Sequence, residues 1–188
     1  MALLKPTDAD VSKLHAEVNQ IANQRFLLTT LAITLFGAVT AWQLPREPVQ
    51  PYTPIGHFRF GLSILMNIVL FVLYFACHLL TIALRNITTY LDFTKASNWE
   101  VDWRRFRKKG PYVGYLHVLS LLFVLVGGLS TLTPLALFLT YKLSLEPVGG
   151  AVLLTIVGVA YLVFVVGMGY RGWFDKEDKI RGRWEQLG

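Results

Sequence analysis

The chain has 188 residues, of which 54% are hydrophobic and only 16% charged, and its mean hydropathy is +0.47. A soluble domain carries about a quarter charged residues, so an ordinary water-soluble fold is excluded and the apolar surplus needs lipid. The abundance of aromatics and branched aliphatics excludes a disordered chain, and the single cysteine, Cys77, excludes an intramolecular disulfide.

The 18 Lys and Arg and 12 Asp and Glu leave four stretches free of charge, 26–44, 61–84, 115–140 and 148–170, of 19, 24, 26 and 23 residues. About 20 apolar residues rising 1.5 Å each cross a bilayer core, so each stretch is long enough to span it. Backbone amides in lipid must be satisfied within the segment, and barrel strands would alternate, so these solid apolar runs predict helices. The expected fold class is all-α: an integral membrane protein of four transmembrane helices, with residues 1–188 forming a single four-span membrane domain. A helical cytosolic N-terminal extension and interfacial amphipathic helices complete it.

At the N-terminus, Thr7 or Asp8 can cap a helix whose apolar Val11, Leu14, Val18 and Ile21 alternate three- and four-residue steps. No proline intervenes before Pro45, so this helix is expected to run straight into the first span, about 37 residues and roughly 55 Å in all. Its apolar stripe suits packing against its own protein or the lipid surface, or equally a self-associating bundle. Asp8, Asp10 and Glu17 precede any long apolar run, so a cleavable signal peptide is not expected and the first span is retained. That span shows a small, hydroxylated face at Thr30, Thr34, Ala38 and Ala41. Four prolines in residues 45–54 then predict a stiff, irregular connector.

The second span is the most informative. Ser63, Asn67, Tyr74, His78, Thr81 and Arg85 follow steps of 4, 7, 4, 3 and 4, and at 100° per residue they fall within an arc of about 60°. This neutral polar stripe would be costly against lipid, so it is expected to face protein or water, as a packing seam or a pore lining. Next come Trp99, Trp103 and Phe106 with Arg104, Arg105, Arg107, Lys108 and Lys109. On a helix these form an aromatic ridge with basic flanks, suited to anionic lipid or to a soluble partner. The third span offers His117, Ser120, Gly127, Gly128 and Thr131 as a matching face, and the fourth offers Ala151, Thr155, Gly158, Gly167 and Gly169 at close-packing intervals. Trp173, Ile180, Trp184 and Leu187 give the tail a second amphipathic pattern.

Three basic residues precede the first span, seven lie in 85–114 and five in 171–188, against Arg46 and Arg59 in one connecting loop and Lys142 in the other. The retention of Lys and Arg on the cytoplasmic side predicts that residues 1–25, 85–114 and 171–188 are cytosolic. Because these cations hug the span ends, the net charge of +6 does not point to nucleic acid. The outline loosely resembles that of small prokaryotic four-span membrane effectors and accessory subunits, a likeness of topology alone, which implies a bacterial inner (plasma) membrane as the expected location.

Catalysis is not expected. No carboxylate lies within a span, and the chain lacks a His-Glu-x-x-His, a Gly-x-Ser-x-Gly and a Gly-rich phosphate loop. No metal site or resident cofactor is expected. His78 and His117 lie at similar depth on neighbouring spans, and haem b held between them is the minor alternative. The sequence therefore predicts a non-enzymatic, homo-oligomeric membrane protein, pore- or channel-like effector or accessory subunit, with the second-span stripe, His117, Ser120 and Thr131 as its seam. The alternative is an anchor or signalling subunit that recruits a cytosolic protein through the basic-aromatic central segment.

Overall fold

A computed structural model describes residues 6–43, 55–96, 115–140, 148–171 and 177–187. All regular structure among them is helical: α1 (Asp8–Gln43), α2 (Ile55–Phe93), α3 (Tyr115–Thr140), α4 (Val148–Arg171) and α5 (Glu177–Leu187). The first four are long and apolar enough to cross a membrane. Their outer faces are apolar all round. Phe26, Leu31, Leu65, Val72, Leu121, Leu132, Ile156 and Val163 are among the exposed large side chains, a surface far beyond the patches a monomeric water-soluble protein leaves uncovered.

The start of α1 is a capping box. Thr7 Oγ1 accepts from the Asp10 amide at 3.3 Å, while the Asp10 carboxylate accepts from the Thr7 amide at 3.0 Å and from its hydroxyl at 2.7 Å. Two amides orphaned by the first turn are thereby satisfied, and Thr7 rather than Asp8 is the cap. The helix continues unbroken for 36 residues, about 54 Å. As expected, the N-terminal extension and the first span are one element.

Helix α2 is longer than its charge-free stretch. It has 39 residues, about 58 Å, and runs past Leu84 to Phe93. The chain then turns with Lys95 at φ 52°, its amide bonded to the Asp92 carbonyl at 3.2 Å and the Ala96 amide to that of Leu91 at 3.1 Å. This is a Schellman stop with lysine where glycine is usual. Charge at Arg85 marks the end of the apolar run but supplies no helix breaker, so the expected boundary at 84 is exceeded.

Helix α2 packs against all four others, whereas α1 touches α2 and α3, and α4 touches α2 and α3, with no α1–α4 contact among the described residues. The core lies on the inner faces of α1 to α4, around Leu70, Tyr74, Cys77, Leu119, Phe123, Tyr161, Val165 and Met168. Glycines let α3 and α4 approach closely. A Cβ on Gly127 would strike the Tyr161 ring, and one on Gly158 would meet Thr131 Oγ1 at 2.6 Å.

Two expected faces are corrected. On α1, Thr30, Thr34, Ala38 and Ala41 do not form the packing face: Thr30, Thr34, Ala38 and Ala41 lie outward or at its edge, while Arg25, Ala32 and Gln43 are buried and Leu28, Leu35, Phe36 and Val39 pack on the core. The tail helix is not spread on the lipid surface through its apolar stripe. Ile180 is buried, Trp184 packs on Tyr90 with ring centroids 4.8 Å apart, and Arg181 pairs with Asp92 at 3.2 Å. Leu91, between Tyr90 and Asp92 on α2, is fully buried. The connector 45–54, the turn 142–147, Trp173 and the ridge of Trp99, Trp103 and Phe106 with Arg104, Arg105, Arg107, Lys108 and Lys109 lie outside the described residues.

Candidate functional site: the polar seam of helix α2

Ser63, Asn67, Tyr74, His78 and Thr81 are all buried, none more than 5% exposed. Their 100° periodicity puts them on one face, and that face points into the bundle because the opposite one, with Leu65, Ile68, Val72 and Leu79, is exposed.

The seam is knitted to three neighbouring helices, one junction per level. Gln43 of α1 donates to Ser63 Oγ at 2.8 Å. One turn on, the Asn67 amide donates to Thr131 Oγ1 of α3 at 3.2 Å and to the Ser63 carbonyl at 3.0 Å. Thr131 passes its own proton to the Gly127 carbonyl at 3.0 Å. At mid-bundle Tyr74 donates to the Val165 carbonyl of α4 at 3.2 Å and meets Ser120 Oγ of α3 at 2.8 Å, its ring tilted on Phe123. At the far end Arg25 Nη1 donates to Thr81 Oγ1 at 3.3 Å. Both α1–α2 pairs, 43 with 63 and 25 with 81, add to the same number, so the two helices run antiparallel without slip over five turns.

Every side-chain bond in this ladder except those back to its own helix crosses to another helix. Such bonds in apolar surroundings are worth about 0.6–1.7 kcal/mol each. They also fix register, because a one-residue slide would turn each donor away from its acceptor. Among the described residues, Asn67 Oδ1 and Ser130 Oγ at one level of the bundle have no hydrogen-bond partner, and neither has Arg25 Nε at the other end; the first two lie close to Pro134, whose ring nitrogen cannot bond the Ser130 carbonyl.

On α3 the predicted face is partly corrected. Ser120 and Thr131 are buried, but His117 is exposed and Gly128 has open space where a Cβ would stand. The inner face instead carries Leu116, Leu119, Ser120, Phe123, Gly127, Ser130 and Thr131. His78 is thus an interior residue and His117 an outward one, whereas axial haem ligation needs both imidazoles turned into one cavity. No three His, Cys, Asp or Glu side chains come together among the described residues.

Sequence reasoning missed Arg25, Gln43, Ser130 and Tyr161. Tyr161 is buried with its hydroxyl on the Phe123 carbonyl at 2.8 Å. Arg25 and Gln43 carried a readable signal: they are 18 residues apart, five helical turns, and share a stripe with Leu28, Ala32, Leu35 and Val39 at three- and four-residue steps. Outside the seam, an open groove of about 360 Å³ between α1 and α2 is lined by Gln24, Leu27, Leu28, Leu31 and Leu80. No protein-family model, curated protein or solved structure matches this chain.

Proposed function

We propose that this chain is a non-enzymatic integral membrane protein that holds a helical head beside the bilayer and presents it to a partner in the aqueous phase, as an accessory or signalling subunit. The observation that carries this reading is the docking of α5 on the overhanging end of α2, through Ile180, Trp184 on Tyr90, and Arg181 on Asp92. Hydrocarbon takes up about 30 Å, whereas α1 and α2 are nearly twice that length. Their antiparallel register puts both surpluses at the same end, residues 8–24 of α1 beside 85–93 of α2. A chain whose only task is to fill the bilayer has no use for such a platform. On the positive-inside rule we assign it, with both termini, to the cytoplasmic side, and a bacterial inner membrane is part of the same reading. The segment with Trp99, Trp103, Arg104, Arg105, Phe106 and Arg107 leaves α2 at this end and is the contact we assign to the partner. Anionic lipid beside it and self-association of the spans are part of the same reading.

The test is purification of the full chain in mild detergent with and without cross-linking. Wild type is expected to carry a soluble protein in fixed proportion. Reversing Arg104, Arg105 and Arg107 to glutamate should release that protein while the chain stays in the membrane fraction. Wild type that is recovered alone under every condition refutes the proposal.

A conduit through the bundle is the second reading, favoured by Asn67 Oδ1 and Ser130 Oγ, which have no partner among the described residues at one interior level, where water would satisfy both. Asn67→Leu would then change flux in proteoliposomes without loss of assembly, and unchanged flux refutes it.

A further inference from the structure

We infer that Arg25 is the floor of a phosphate site that takes the headgroup phosphodiester of a phospholipid, reached between α1 and α3 at the overhanging end of the bundle. The inference rests on the membrane reading above.

Arg25 is 9% exposed, and its guanidinium offers five N–H donors. One of them, on Nη1, donates to Thr81 Oγ1. The proton of that hydroxyl goes to the Cys77 carbonyl at 2.8 Å, so Thr81 presents Arg25 with a lone pair alone. The guanidinium carbon stands 4.3 Å from the centroid of the Tyr115 ring, whose face holds the cation. Arg25 Nε is buried and has no hydrogen-bond partner among the described residues. The backbone beneath is pinned, since the Arg25 carbonyl accepts from Thr29 Oγ1 at 2.8 Å and from Cys77 Sγ at 3.9 Å.

Among the described residues this arrangement lacks a counter-charge. No carboxylate pairs with Arg25 among the described residues, and the sequence holds no acid in α1 or α2 between Glu17 and Asp92 and none in α3 or α4. The neighbouring charge has the same sign, with Arg85 one turn beyond Thr81 on the same face of α2. A buried cation held by one hydroxyl and one ring is costly unless an anion completes it. Carboxylate and phosphate oxygens both match a planar guanidinium fork, and with no acid of α1 to α4 nearby phosphate is the anion the surroundings supply. Its supply is set by position: Arg25 immediately precedes the charge-free stretch 26–44, the level at which lipid phosphates lie. Tyr115 is exposed, so the ring that covers the guanidinium borders the surrounding phase.

The experiment measures thermal unfolding of the full chain in maltoside detergent, for wild type and Arg25→Leu, with short-chain phosphatidylglycerol or with inorganic phosphate added. Phosphatidylglycerol is expected to raise the wild-type midpoint by several degrees and to leave Arg25→Leu unmoved. In detergent alone the variant should match or exceed wild type, because an apolar side chain replaces an uncompensated charge. The order of stability therefore inverts when lipid is added. The same shift with inorganic phosphate alone would keep the phosphate site and assign it a free anion instead of a lipid. Equal shifts in both proteins, or none in wild type, overturn the inference. Should Arg25→Leu not assemble, native mass spectrometry of wild type decides: retained phosphatidylglycerol supports the site, and bare polypeptide overturns it. Recovery of the chain without detergent would refute the membrane reading itself, whereas a membrane-extracted protein lacking an Arg25-dependent shift refutes only the site.

Discussion

Adding one methyl group at Gly127 and one at Gly128 is expected to have opposite effects, although the two residues are adjacent. At Gly127 the new Cβ would overlap the Tyr161 ring, with Cζ at 2.7 Å and Cδ1 at 2.8 Å, whereas nothing lies within 4 Å of a Cβ at Gly128. Overpacking costs about 1–3 kcal/mol. Displacing the ring also endangers the bond from Tyr161 to the Phe123 carbonyl, about 0.5–1.5 kcal/mol more. Against this stands the gain of alanine over glycine inside a helix, about 1 kcal/mol, which both substitutions share. Gly127→Ala should therefore lose about 1–3 kcal/mol and Gly128→Ala should gain up to about 1. At roughly 2–4 °C per kcal/mol for a chain of this size, their midpoints separate by about 2–16 °C. Thermal unfolding in detergent reads the difference. A double-mutant cycle locates its cause: in a Tyr161→Ala background the ring is gone and Gly127→Ala should cost nothing further. Equal midpoints for the two glycine variants, or an undiminished cost without the ring, would refute the close α3–α4 approach.

A second pair of neighbours separates a working hydroxyl from an idle one: Thr131→Val removes the acceptor of Asn67 and should cost about 0.6–1.7 kcal/mol, while Ser130→Ala removes a buried hydroxyl without a partner and should be neutral or stabilising by about 1 kcal/mol, both read by chemical or thermal unfolding. Lys95→Gly relieves a left-handed backbone at the end of α2 and should stabilise the protein by about 1 kcal/mol, seen as slower exchange of the Leu91 to Ala96 amides. The pairing of Asp10 with the Thr7 hydroxyl and amide holds its carboxyl below the ordinary aspartate value. The stabilisation of the first turn is accordingly present above the unfolded carboxylate pKa and disappears as pH falls through the lowered folded one. Amide exchange at Asp10 and Val11 should rise over that acid window, and Asp10→Asn should remove the dependence. Ile180→Asp should free α5 and open the tail to limited proteolysis, whereas Arg181→Ala, which breaks a half-exposed ion pair, should cost less than about 1 kcal/mol.

Much of the architecture was legible from charge alone. Apolar runs with no acid or base leave a helix no alternative in lipid, and the six polar positions of α2 share an arc too narrow to be chance placement around a helix. What that pattern could not say was where each group finds its partner. Ser63 bonds a glutamine on α1, Asn67 a threonine on α3, and Tyr74 a carbonyl on α4. The spacing within one helix is blind to these choices.

Helix α1 marks the limit most clearly. It carries two stripes at helical spacing, one of small and hydroxyl residues and one with Arg25, Leu28, Ala32, Leu35, Val39 and Gln43, and local periodicity ranks the first as the better packing face. The second one packs, because its ends reach the hydroxyls of Ser63 and Thr81 at a common register. The tail followed the same logic: its amphipathic pattern foretold an apolar face, but lipid, a partner and the protein's own α2 would all cover such a face. By itself the sequence determined the four long apolar helices and which side of α2 turns inward, because these follow from desolvation along a single segment, whereas the end of α2 at Phe93 was not readable from its charge pattern. Only the tertiary structure decided which faces meet and that α5 folds back on α2, because those depend on distances between segments far apart in the chain.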